Sequence, residues 1–359
     1  MKARSTWLFA GAVGCQFAAF VVKLLASSAP LFAKQRPDWS PGGVMVMALT
    51  TASAALLIWA AVEFSRGQSP SARSEWALPD RANRWLVGGM LAIAWGILVL
   101  FLISPSGFEH LADEDWWLEN LSAAASFDAA VAFGLAAFCM RRQSSWPPVL
   151  FACGLAGAFL LVGLEEVSWF QRVFNYSTPE FLRGNWQGEA NFHNLSSNKS
   201  EVLYYTVLSA FLILFPLAKD CGLIPARFGA IAELAPSRTV VAFGAMASTY
   251  NFVTWTLIPY QTLFFAGVFA VAFYEFRFGR SAGVPFGRAV IVSCVMTQAL
   301  LLALPSHHLW LRTAAEYREF MMPLGGFVAG VETLYRVTSQ LAPSAVSPRR
   351  SSLGQPATS

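Results

Sequence analysis

The run "EEVSWFQR" places two carboxylates, a hydroxyl, an indole, an amide and a guanidinium within one short stretch, Glu165 to Arg172. A carboxylate can act as general base, general acid or metal ligand, and a guanidinium can hold an anionic group. Glu165 and Glu166 are therefore candidate catalytic residues, with Arg172 as an anion clamp and Trp169 as a substrate contact. If the preceding helix continues past Leu164, Glu165, Ser168 and Arg172 share one face by i, i+3, i+7 spacing. The structural alternative is a Glu–Arg bridge that fastens a helix end, with Trp169 in the aromatic belt of a membrane.

A second polar set follows in "TPEFLRGNWQGEANFHN" (178–194). Gln187, Glu189, Asn191 and His193 alternate, which puts them on one face of an extended segment; in a helix, Glu189 and His193 pair instead at i, i+4. His193 is a candidate proton shuttle or ligand, and Gln187, Glu189 and Asn191 are candidate substrate contacts. Phe181, Trp186 and Phe192 suit the anchors of a re-entrant or interfacial hairpin.

Two further sets have simpler readings beside the chemical one. Glu109, His110, Asp113, Glu114, Asp115 and Glu119 read as a solvated acidic loop or as oxygen ligands for a hard cation. Asp128, inside an apolar run, is expected to face a bundle interior. His308, Arg312, Glu316 and Glu319 form a helical stripe suited to salt bridging. His193, His307 and His308 together offer three ligands for a divalent metal such as catalytic zinc, although the spacing matches neither H-E-x-x-H nor H-x-x-E-H.

Membrane helices must position these groups. The 359 residues are 55% hydrophobic and only 13% charged, with a mean hydropathy of +0.49; a soluble domain carries about 25% charged residues. Apolar runs at 6–29, 42–64, 85–104, 118–140, 147–164, 202–218, 239–258, 260–276 and 287–305 are long enough to cross a hydrocarbon core of about 30 Å. A weaker tenth candidate, 320–335, contains Pro323 and Glu332. The expected fold is all-α: a polytopic transmembrane bundle over 1–340, with an interfacial or re-entrant polar segment at 165–200. The Ser- and Pro-rich tail, 341–359, is expected to be disordered. The N-terminal apolar run is too long for a signal-peptide core and reads as an uncleaved first span.

Arginine and lysine alternate between loop sets. Lys2, Arg4, Arg66, Arg73, Arg81, Arg84, Arg141, Arg142, Lys219, Arg227, Arg238, Arg277, Arg280 and Arg288 fall on one side. By the positive-inside rule that side, with the N-terminus, is cytoplasmic, and all four polar sets face outward. The net charge of +4 thus gives no reason to expect nucleic acid. Cys15, Cys139, Cys153 and Cys294 lie in spans and Cys221 in a cytoplasmic loop, so neither a disulfide framework nor a cysteine metal site is expected. No Walker A, dinucleotide fingerprint, nucleophile elbow or EF-hand occurs.

The stretches "EEVSWFQRVF", "TPEF" and "QGEANFHNL", with the upstream Glu114–Asp115 pair, resemble a pattern in poorly characterised bacterial multi-pass membrane proteins: E-E-x-S-W-x-Q-R, then T-P-E, then Q-x-E-x-N-x-H-N. Position 170, where that pattern suggests glycine, is Phe. The resemblance implies bacterial origin and a plasma-membrane location and carries no activity. The residues themselves favour an integral membrane enzyme whose outward, membrane-surface site transfers or hydrolyses a lipid or lipid-linked substrate. The rival is a transporter or assembly partner in which the polar cluster fixes helix packing.

Overall fold

A computed structural model describes residues 2–26, 31, 34–66, 78–112, 117–142, 144–182, 184, 188, 190, 192, 197–304 and 314–341. Among them every regular element is helical. The chain runs through α1 (Lys2–Ala26), α2 (Pro41–Ser65), α3 (Asp80–Ile103), the short α4 (Pro105–Leu111), α5 (Trp117–Met140), α6 (Trp146–Glu166) and α7 (Gln171–Phe174). It continues through α8 (Ser197–Ser209), α9 (Phe215–Asp220), α10 (Gly229–Ala232), α11 (Arg238–Ala247), α12 (Ile258–Ala282), α13 (Gly287–Ala303) and α14 (Ala314–Leu341).

Among the described residues, seven helices are long and apolar enough to cross a membrane: α1, α2, α3, α5, α6, the α8–α9 unit and α12. The protein is a multi-pass membrane protein on this composition. Two of the nine expected spans are shorter. The run 287–305 yields the 17-residue α13. The run 239–258 yields only the ten-residue α11, because "STYNFVTWT" brings Ser, Thr and Asn side chains that compete for backbone hydrogen bonds. The weak tenth candidate lies within the 28-residue α14, which carries Glu316, Arg318, Glu319, Glu332 and Arg336 and is too polar to stand with the seven.

Helix starts follow local chemistry. Ser40 caps α2 by accepting the Gly43 N–H, with Pro41 at the first turn, where its missing donor is harmless. Between α8 and α9 the helix widens into a π turn at Ala210–Leu214. Pro216 follows directly and cannot donate back into the ladder, which favours such an adjustment.

Close helix approach relies on small residues, as in lipid-embedded bundles generally. The α14 helix packs along α5 and α11. A Cβ on Gly326 would sit 2.1 Å from the Phe159 ring, and one on Gly330 would sit 2.9 Å from Ala132. The main core joins residues of α2 through α14 around Phe133, Leu212, Phe243, Met246 and Tyr317.

Candidate functional site

The "EEVSWFQR" run does not continue α6. The helix ends at Glu166, and Ser168, Trp169 and Phe170 take φ values of 46°, 55° and 61°. Left-handed backbone costs an L-residue roughly 1–2 kcal/mol, so three in succession need local support. The Trp169 indole donates to Glu165 Oε1 at 2.7 Å, and the Tyr176 hydroxyl donates to the Trp169 carbonyl at 3.1 Å. The Phe170 ring stacks on Phe127, with centroids 6.1 Å apart and planes 7° apart. The turn rotates the chain away from the helix axis, so the expected common face of Glu165, Ser168 and Arg172 is not formed. Arg172 lies exposed on α7.

The same turn joins the first two polar sets. Glu165 Oε2 accepts the Phe192 N–H at 2.7 Å. The Gln171 side-chain oxygen accepts the Ala190 N–H at 2.6 Å, and its amide donates to Thr178 Oγ1 at 3.0 Å. Thr178 in turn donates to the Gly188 carbonyl. These bonds fold the described parts of the 165–192 segment over the end of α6. The candidates Gln187, Glu189, Asn191 and His193, and likewise His307 and His308, lie outside the described residues. Asp113, Glu114, Asp115 and Arg312 do as well.

Four helices bring carboxylates to this end of the bundle: α5 (Glu119), α6 (Glu165, Glu166), α8 (Glu201) and α14 (Glu316, Glu319). The charges of Glu319, Glu119 and Glu165 all bear on Glu166, and the Ser122 hydroxyl is hydrogen-bonded to it. Ser122 also donates to the Glu319 carbonyl at 2.9 Å, which ties α5 to α14. Burial first, and then the charges of Glu319, Glu166 and Glu201, push the Glu316 carboxyl well above the usual carboxylate range, with Lys34 opposing. Glu109 and His110 sit on α4, and Asp128 is exposed on α5 instead of facing the interior.

Arg318, Glu201, Asn251, Thr254 and Gln298 complete the site and were not among the candidates from sequence. Arg318 is fully buried. It donates to Glu201 Oε1 at 2.7 Å, to Asn251 Oδ1 at 3.1 Å and to Thr254 Oγ1 at 3.2 Å. Its guanidinium also lies over the rings of Tyr205 and Tyr260, 4.5 and 4.6 Å from their centroids. Lys34 pairs with the other Glu201 oxygen. The 248–257 segment that breaks the span after α11 is buried almost throughout, so its carbonyls need internal donors. Gln298 serves Asn251 at 2.7 Å, Gln261 serves Trp255 at 2.6 Å, the Gln35 N–H serves Val253 at 2.8 Å, and Lys23 serves Thr256. The available signal was the Ser/Thr/Asn density of 248–256 and an arginine between the two glutamates of the α14 stripe.

Among the described residues, no three His, Cys, Asp or Glu side chains converge closely enough to hold a metal ion. What converges is a set of carboxyls beside a buried cation network. No family model, curated protein or solved structure matches the chain, so the chemistry of these residues is the ground for assigning a role.

Proposed function

We propose that this is an integral membrane enzyme that uses acid–base chemistry on a lipid or lipid-linked substrate at the outward surface of a bacterial plasma membrane, with the N-terminus cytoplasmic. The observation that carries this reading is the division of labour within the glutamate pair. Glu165 spends both oxygens on Trp169 and the Phe192 N–H, whereas Glu166 is acted on by Glu319, Glu119 and Glu165 together. A carboxyl with several carboxylate neighbours is a candidate for proton transfer to or from a substrate. Glu166 is then the general acid–base residue and Glu165 a positioning residue. His193, next to Phe192 in the chain, keeps its proposed role as shuttle or ligand, and Arg172, exposed beside the turn, that of anion clamp. Gln187, Glu189, Asn191 and Trp169 remain proposed substrate contacts. A divalent metal on His193, His307 and His308 belongs to the same proposal.

The test places wild-type, Glu165→Gln and Glu166→Gln proteins in nanodiscs made from bacterial lipid extract and follows the lipids by mass spectrometry. Wild type is expected to convert a lipid species, and Glu166→Gln is expected to lose that conversion at unchanged melting temperature. Equal lipid profiles for wild type and empty nanodiscs would remove the proposal.

A second reading, a transporter, is favoured by one observation: the span broken at 248–257 beside a buried Arg318. Discontinuous helices with buried polar groups form substrate sites in secondary transporters. Uptake into proteoliposomes without lipid conversion is the outcome that selects it.

A further inference from the structure

At the opposite end of the bundle from the carboxylate set, the N-terminus of α3, the last turns of α12 and the start of α13 enclose a cavity of about 520 Å³. That volume lies within the range of small-ligand sites, about 300–1,000 Å³. Its charged lining is balanced: Asp80 and Glu275 against Arg84 and Arg288. These charges do not cancel in pairs, because no ion pair joins any of them among the described residues. The placement of Glu275 is built into the sequence. A Cβ on Gly287 would lie 2.5 Å from Glu275 Oε1 and 2.6 Å from its Cγ, so only glycine there leaves room for the carboxylate.

The surroundings fit a membrane–water interface. Phe286 in the lining and Trp85, next to Arg84 in the chain, are exposed, as aromatic residues are at headgroup level. The neighbouring exposed cations are Arg81 and Arg277.

We propose that this cavity binds a zwitterionic phosphate–ammonium group of the phosphoethanolamine type, supplied by a membrane lipid headgroup or by the free phospho-amine. The phosphate takes charge-assisted hydrogen bonds from Arg84 and Arg288, and the ammonium donates to Glu275. A primary ammonium suits this site better than a quaternary one. It has protons for a carboxylate, whereas choline-like groups are held by aromatic cages, and Phe286 is the one aromatic ring in the lining.

The experiment measures melting temperature and apparent affinity of the full chain in detergent. Phosphatidylethanolamine, phosphatidylcholine and phosphatidylglycerol are titrated separately, and glycerophosphoethanolamine serves as the soluble arm. Phosphatidylethanolamine is expected to bind at least tenfold more tightly than the other two lipids. Glu275→Gln removes that preference, and Arg288→Gln, at an exposed position that does not endanger folding, weakens all three lipids. Saturable glycerophosphoethanolamine binding that depends on Glu275 supports the same chemistry with the free phospho-amine as source; its absence alongside lipid binding assigns the lipid. A preference for phosphatidylglycerol, a lipid ranking unchanged in Glu275→Gln, or lipid affinities unchanged in Arg288→Gln, overturns the proposal.

Discussion

Arg318 reaches Glu201 at 2.7 Å from a position without solvent exposure, and Glu201 takes Lys34 on its other oxygen. One guanidinium thereby connects α14, α8 and the non-helical 248–257 segment. Removing one member of a buried ion pair leaves the other uncompensated and costs about 3–5 kcal/mol. Arg318→Met is expected to fall in that range. It should also raise hydrogen exchange across 248–257, where the Asn251 and Thr254 side chains lose the guanidinium and keep their bond to each other. Arg318→Lys should recover little, since an ammonium cannot reproduce the fork that serves Glu201, Asn251 and Thr254 together. Thermal unfolding with exchange mass spectrometry on the three proteins decides this, and a double-mutant cycle with Glu201→Gln separates the pair from its surroundings.

The left-handed turn gives a sharper comparison. Phe170 pays a backbone penalty at φ 61° while gaining the stack on Phe127. Phe170→Ala loses the ring and keeps the penalty, whereas Phe170→Gly loses the ring and relieves it. Phe170→Gly is therefore expected to be more stable than Phe170→Ala by about 1–2 kcal/mol, the reverse of the usual order of Gly and Ala in an ordered element. Melting temperatures of the two variants settle the order.

Glu165 and its partners define a structural prediction separate from catalysis. Glu165→Ala orphans the Trp169 indole and the Phe192 N–H, at about 1–3 kcal/mol for an unsatisfied buried donor and less where water reaches it. Faster proteolysis within 175–192 is expected, with cutting elsewhere unchanged. Equal cleavage in wild type and Glu165→Ala would show that Gln171 and Thr178 hold the segment without it.

How much of this was legible in the sequence depends on the kind of signal. The apolar runs predicted the long helices well, because spanning lipid demands continuous apolar length. Hydropathy averages hid the break at 248–257, since Tyr250, Phe252, Val253 and Trp255 keep the window apolar while Ser248, Asn251 and Thr254 disrupt the helix. The sequence placed "EEVSWFQR" and the 178–194 set in one polar stretch, but not the bonds that join the former to Ala190, Phe192 and, through Thr178, Gly188. No spacing rule announces three left-handed residues when none of them is glycine. Arg318 escaped notice because its worth lies in partners on α8 and after α11, which are distant in sequence.

The last prediction concerns pH. Glu316 has an ordinary value of 4.5 and is pushed well above it by burial and by Glu319, Glu166 and Glu201. Above about pH 4.5 the unfolded chain releases this proton while the folded chain keeps it, so the folded state binds more protons. Stability therefore falls as pH rises through the window between the two values, by at most about 1.4 kcal/mol per unit for one proton. It is fully present below the unfolded value. Glu316→Gln mimics the protonated form, removes the group's titration and should flatten that slope while matching wild type at the acidic end. Unfolding midpoints from pH 4 upward on both proteins test the sign. A wild-type stability that climbs with pH while the variant's stays flat would mean that Glu316 is ionised in the folded protein and that Lys34 outweighs its acidic neighbours.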